Sequence, residues 1–356
     1  MITNTRHERK RAAKYTGVGP EWVSSNVSIA FGFSLIELMI ALTILLAVGA
    51  IVTTGMVQML KSQGTINSRT EMHSSVRSAT ELLQQEVGQA GRITLPPCSP
   101  TPCNNVMPTL TTAVAVVPGN LVTQAVTVSS TAGMFNGEQV VVDAGSTAGT
   151  PPTPNQETVT ISGLTTGGFT ATFTTSHLAG VPIAVLGAFN WGVVPDQCGA
   201  AACTNGSDGT HLKMLGDING DGNLVIINYD CNPSAAGNGT LTRSQTAWNA
   251  AAQGATITLL NNLANNPNNA ACFVYQVQSV TINGVPTYFC TDVAITLTVQ
   301  TATKDPVTQK YQQETKALLN VSPRNIFNVW ERASQGTYER VQPTPPSVTT
   351  LLSQIY

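Results

Sequence analysis

The sequence predicts an α+β protein, a long N-terminal helix packed on an antiparallel sheet with a β-rich insertion after the helix. Three observations carry that expectation. From Phe33 to Leu60 runs an apolar stretch of 28 residues with one charge, Glu37, and no proline. Beyond it Met72, Val76, Ala79, Leu83, Val87 and Ala90 recur at the spacing of one helix face. The remaining body is poor in charge, rich in Gly, Pro, Thr, Ser and Asn, and broken into short apolar segments between turn residues. With 356 residues there is room for one large or two ordinary domains, and 10% charged beside 42% hydrophobic residues disfavours charge-driven disorder and a helical bundle. Between Ile93 and Thr303 two basic residues, Lys213 and Arg243, stand against nine acidic ones, so no electrostatic grip on nucleic acid is expected there.

The first element can span a membrane. At a rise of ~1.5 Å per residue, the ~20 residues needed to cross a ~30 Å hydrocarbon core are present. Ahead of it Arg6, Arg9, Lys10, Arg11 and Lys14 outweigh Glu8 and Glu21, which keeps the N-terminus in the cytoplasm and exports the rest. A secretory signal peptide would have a shorter apolar region without a carboxylate. Glu37 is the exception inside the span, because an ionisable side chain at mid-bilayer costs roughly 2.5–3.5 kcal/mol and asks for a positive partner. Cutting the chain between Gly32 and Phe33 would supply one: the new α-amino group of Phe33 would lie one helical turn from Glu37.

The stretch GFSLIELMIAL, Gly32 to Leu42, resembles the processing and methylation motif of type IV prepilins and type II secretion pseudopilins: a Gly before the cut, an aromatic residue after it, and a Glu four positions on. The resemblance implies a pilin-like fold. It implies that residues 1–32 are a cytoplasmic leader removed by prepilin peptidase, that Phe33 becomes N-methylated, and that Glu37 is the assembly glutamate neutralising a neighbouring N-terminus in a filament core. Other pilin subunits, an inner-membrane assembly platform and the lipid bilayer are the partners implied. The head would sit in the periplasm of a bacterial cell, anchored by one pass through the inner membrane, before transfer to a cell-surface filament.

After the span at 33–60, residues 61–95 are expected to continue as an amphipathic stalk, on the order of 85 Å from Phe33 to Ala90. Gly64 is its weak point and Pro96–Pro97 must end it. A Cys- and Pro-rich connection (96–120) leads to an inserted β-module (121–190), read from the segments LVTQAVTV, GEQVVVD, ETVTISGL, FTATFTT and VPIAVL. Both a structural elaboration and a ligand-binding or adhesive role fit that module. A β head (191–330) and a C-terminal tail (331–356) follow. The run LLQQEVGQAGRI, the strand from Leu224 to Tyr229 followed by Leu241–Arg243, and the stretch Val293–Asn325 resemble PilW-like minor pilins and, more distantly, J-type pseudopilins.

Asp217, Asn219, Asp221 and Asn223 alternate around Gly222 in a D-x-N-x-D-G pattern whose oxygens could converge on calcium. The twelfth position is Asn228 rather than a bidentate Glu, so a metal-free turn closed by the Asp and Asn side chains is the competing reading. No other cofactor is expected. Cys98 and Cys103, and Cys198 and Cys203, share a C-x4-C spacing that suggests two local disulfides, with reduced thiols and a metal as alternatives. Cys231, Cys272 and Cys290 stand alone among apparent strands, and one thiol is left over. Of four histidines, His211 near Asp208 is the one with a neighbour, and no catalytic motif accompanies it, so no enzyme is expected. The function expected is that of a minor pilin. A J-type pseudopilin of a secretion system and a surface adhesin using the β insertion are the alternatives.

Overall fold

Helix α1 (Leu35–Gln89) opens the fold, with Glu37 in its first turn. The computed structural model describes residues 34–97, 107–145, 155–195 and 205–354, with the backbone alone of 197–198 and 201–202. The chain divides into two units after Leu60. Over residues 35–60 α1 is apolar and exposed throughout, one helix long and apolar enough to cross a membrane. Farther along, Met72, Val76, Ala79, Leu83 and Val87 are buried, together with Thr80 and Glu86.

The helix ends at Gln89 and not at residue 95. Gly91 adopts φ +79°, which a side chain would disfavour, and turns the chain into the head. Its N–H donates to the Leu215 carbonyl (2.9 Å), and its own carbonyl accepts from Phe189 (3.0 Å). A Cβ on Gly91 would meet Ile326 at 2.7 Å, so close approach as well as φ requires glycine here.

Among the described residues six strands form the inserted module: β1 (Val122–Thr127), β2 (Gln139–Val142), β3 (Glu157–Thr160), β4 (Ser162–Thr165), β5 (Gly168–Phe173) and β6 (Ile183–Val185). They make two antiparallel three-stranded sheets, β1-β5-β4 and β3-β2-β6. The apolar run ETVTISGL is divided between the sheets at Ile161, whose buried side chain and N–H bond to the Glu138 carbonyl (2.8 Å) separate β3 from β4.

The short strands β7 (Ala188–Phe189), β8 (Gln197–Cys198) and β9 (Ala201–Ala202) precede the main sheet. That sheet comprises β10 (His211–Gly216), β11 (Val225–Asn232), β12 (Gly239–Ala247), β13 (Thr256–Ala264), β14 (Phe273–Ile282), β15 (Val285–Gln300) and β16 (Gln313–Val321). Its order is β10-β11-β12-β13-β15-β14, with β16 on the other side of β15, and every pairing is antiparallel. The sheet curls until β14 approaches β10: Phe273 donates to the Gly209 carbonyl (3.1 Å) and the Tyr275 hydroxyl to that of His211 (2.7 Å).

Alternation along β10 and β11 gives the sheet two working faces. Leu212, Met214, Ile227 and Tyr229 join one core with the buried stripe of α1, whereas Leu215, Leu224 and Ile226 join a second with Phe135, Phe169 and Phe173 of the module. The main sheet is thus the middle layer between stalk and module. The C-terminal region completes both cores with α2 (Arg324–Ser334), β17 (Val341–Gln342) and α3 (Pro346–Leu352). Strand β17 pairs in parallel with β7, and the fully buried Gln342 amide bonds Gln139 N and O (3.0 and 2.8 Å) and the Leu186 carbonyl (2.9 Å). The stretch 331–356 is therefore part of the packed structure through residue 354.

Cys231 and Cys272 do not stand alone. They form a disulfide, 41 residues apart, that ties β11 to the start of β14 across the curl. Their spacing hid this, since the two strands between them, β12 and β13, had to fold back first. Cys290 is free and buried, and burial pushes its thiol up to about 12.

Candidate functional site

Two places on the molecule carry charges that the fold has gone out of its way to position. The first is the start of α1. Glu37 lies on the exposed apolar surface of the helix, and no described group makes an ion pair with it. Gly32 and Phe33 lie outside the described residues.

The second is the seam between the stalk and the head. Glu86 falls on the buried stripe, between Leu83 and Val87, and its carboxylate is almost enclosed. Arg243 grips it with three hydrogen bonds: Nη2 to Oε1 at 2.7 Å, and Nε to Oε1 and Oε2 at 3.1 and 3.2 Å. The Tyr229 hydroxyl donates to Oε2 at 2.5 Å. Tyr229 and Arg243 are direct cross-strand partners on β11 and β12, so the pleat aims both at the same helical turn. Burial raises the Tyr229 phenol further above its ordinary value, with Glu86 adding to it, so the hydroxyl remains a donor. Burial acts to lower Arg243, but the Glu86 carboxylate outweighs it and the guanidinium is raised.

Further ties flank this cluster. Arg69 meets Asp305 (3.9 Å), His73 meets Glu314, and Arg92 meets Asp217 (3.7 Å). The stalk is fixed to its head along its length by an apolar stripe with polar contacts beside it.

The acidic turn is self-contained. Asp217 is fully buried, takes a bond from Thr94 besides the Arg92 contact, and accepts Asp221 N at 2.9 Å. Asp221 accepts Asn223 N at 2.9 Å. These carboxylates serve turn and helix end, and among the described residues no group of three or more His, Cys, Asp or Glu side chains is placed to hold a metal ion. Cys98, Cys103 and Cys203 lie outside the described residues, as does the side chain of Cys198.

No family model, curated protein or solved structure matches this chain.

His211, the first residue of β10, and His177, between β5 and β6, are engaged by nearby carboxylates. His211 Nδ1 faces Asp208 at 3.0 Å. Burial acts to raise Asp208, but bonds from Thr210 and His211 outweigh it and hold the carboxyl at about 2. His177 is buried with Nε2 3.4 Å from Glu157. Burial likewise opposes ionisation of Glu157, and bonds from Thr174, Thr175 and His177 bring it below the usual carboxylate range. Each pair pins a turn.

Sequence reasoning did not single out Glu86, Tyr229 or Arg243 as a cluster. A signal was present: a carboxylate at core spacing on the stalk and, between Ile93 and Thr303, a single arginine. A buried charge asks for an opposite one, and Arg243 was the scarce candidate.

Proposed function

We propose that this chain is a minor pilin, a non-catalytic subunit of a type IV filament that acts in assembly at or near the tip. The observation that carries the reading is α1 itself. Its apolar part has no buried residue from 35 to 60 and carries a single carboxylate, Glu37, five residues beyond Gly32 in the GFSLIE sequence. An exposed apolar helix needs lipid or neighbouring helices around it. A new α-amino group on Phe33 would give Glu37 the partner its position requires, which couples cleavage to release from the bilayer into a helical bundle. The Glu86–Arg243–Tyr229 cluster supports the same reading, because a subunit pushed or pulled through its helix must carry its head along.

The test is N-terminal and intact-mass analysis of the protein taken from membranes. The expected result is a mature chain beginning at Phe33 with one added methyl group; any other start overturns the reading. Recovery in sheared surface fibres distinguishes the pilus from a secretion pseudopilus, whose loss would instead stop protein export. The shared core between module and main sheet favours a structural elaboration over an independent adhesive domain.

A further inference from the structure

The connection between β15 and β16, residues 301–312, is a hairpin with an unusual surface. Asp305 builds its turn: Oδ1 accepts Val307 N (2.8 Å) and Thr308 N (2.9 Å), and Oδ2 accepts Gln312 Nε2 (3.3 Å) and faces Arg69 (3.9 Å). The tip exposes Val307 to 84%, more than any other large apolar side chain described. Tyr311 is also exposed, with Lys304 Nζ 5.6 Å above its ring. Lys61, Lys304 and Lys310 are exposed, and among the described residues no carboxylate lies within ion-pair distance of them. Lys61, Thr65, Ser68, Thr303 and Lys304 line a cleft of about 200 Å³ beside the hairpin.

The only nearby carboxylate of the loop, Asp305, is consumed by the turn and by Arg69. What remains is a cationic rim around an apolar tip and an aromatic ring. Lysine, tyrosine and an exposed aliphatic side chain together match the chemistry of a membrane interface, where phosphates meet ammonium groups and rings lie at headgroup depth. The hairpin is also tethered close in sequence to the apolar run. It is fastened to the stalk by Ser68 to Thr303 (3.3 Å) and by Arg69 to Asp305. Ser68 follows the last residue of the apolar run, Leu60, by only eight positions, and eight residues reach at most ~29 Å even when fully extended.

We infer that the 301–312 hairpin docks on an anionic phospholipid surface, Val307 and Tyr311 entering the interface while Lys61, Lys304 and Lys310 meet lipid phosphates. This rests on α1 being a membrane anchor. Docking would hold the head against the bilayer until extraction, and entry into a filament would require its release.

The full chain is reconstituted into nanodiscs of phosphatidylcholine alone or with about one third phosphatidylglycerol, and amide hydrogen exchange is followed at residues 304–310. Slower exchange in the anionic discs is expected, and raising the salt should abolish the difference. Each lysine near such a surface is worth about fivefold in affinity, so the Lys304→Glu/Lys310→Glu double variant should lower the docking equilibrium constant, read from the protection factors, at least ~25-fold. Exchange in β15 and β16 reports whether that variant keeps its fold, and the salt series on the native chain needs no variant. Equal exchange in both discs, or protection indifferent to salt, overturns the docking. A chain that does not insert at all removes the anchor reading, and the docking with it.

Discussion

Glu138 is the residue whose ionisation the fold resists most openly. It is fully buried in the module, one carboxylate oxygen has no partner among the described groups, and the other accepts only the Phe135 amide (3.3 Å). Burial lifts its pKa from 4.5 to about 8, against the weaker pull of that amide. For an acid raised in the folded state, the folded form holds its proton where the unfolded form has lost it. Stability from this group is therefore full below about 4.5 and declines as the pH rises toward about 8. Thermal melts across that range should show the decline in the native protein and its absence in Glu138→Gln. A slope of equal size in the variant would assign it elsewhere. Its nearest relatives in behaviour, Asp208 and Glu157, run the other way, since their pKa values are lowered and their contribution fades only in acid.

At the level of elements, the Glu86–Arg243–Tyr229 cluster joins the stalk to β11 and β12. Removing one partner from a buried ion pair leaves the other charged and unpaired, which typically costs about 3–5 kcal/mol. Arg243→Ala should lower unfolding stability by that amount in urea titrations. Replacing Glu86 and Arg243 together by Leu and Met should cost much less, because no orphan charge remains. If the two variants were equally damaged, the apolar stripe and not the ion pair would hold the seam. The acidic turn offers a contrasting case. Its carboxylates are engaged by Arg92, Thr94 and backbone amides, so a chelator should leave the melting temperature unchanged. A drop of several degrees would point to bound calcium at Asp217, Asn219, Asp221 and Asn223.

Across the whole chain, the disulfide between Cys231 and Cys272 shows what sequence spacing leaves open. It closes a 41-residue loop, worth about 4 kcal/mol in the chain-entropy picture, yet nothing local marks the two cysteines as partners. Glu86, Tyr229 and Arg243 are the same kind of case, 143 and 157 residues apart along the hydrogen bonds that join them. Gln342, stitching the module from the far end of the chain, is a third.

Features written in local periodicity were legible from the start. The apolar span with its lone Glu37, the stripe from Met72 to Val87 and the short strands of the module each depend on side chains a few residues apart, and helix and strand repeats fix those neighbours before any folding. The helix end, the pairing of Cys231 with Cys272, the capture of Glu86 and the layering of module, sheet and stalk came only with tertiary structure. Each depends on which distant segments pack together, and it was the curl of the main sheet and the turn at Gly91 that brought them within reach.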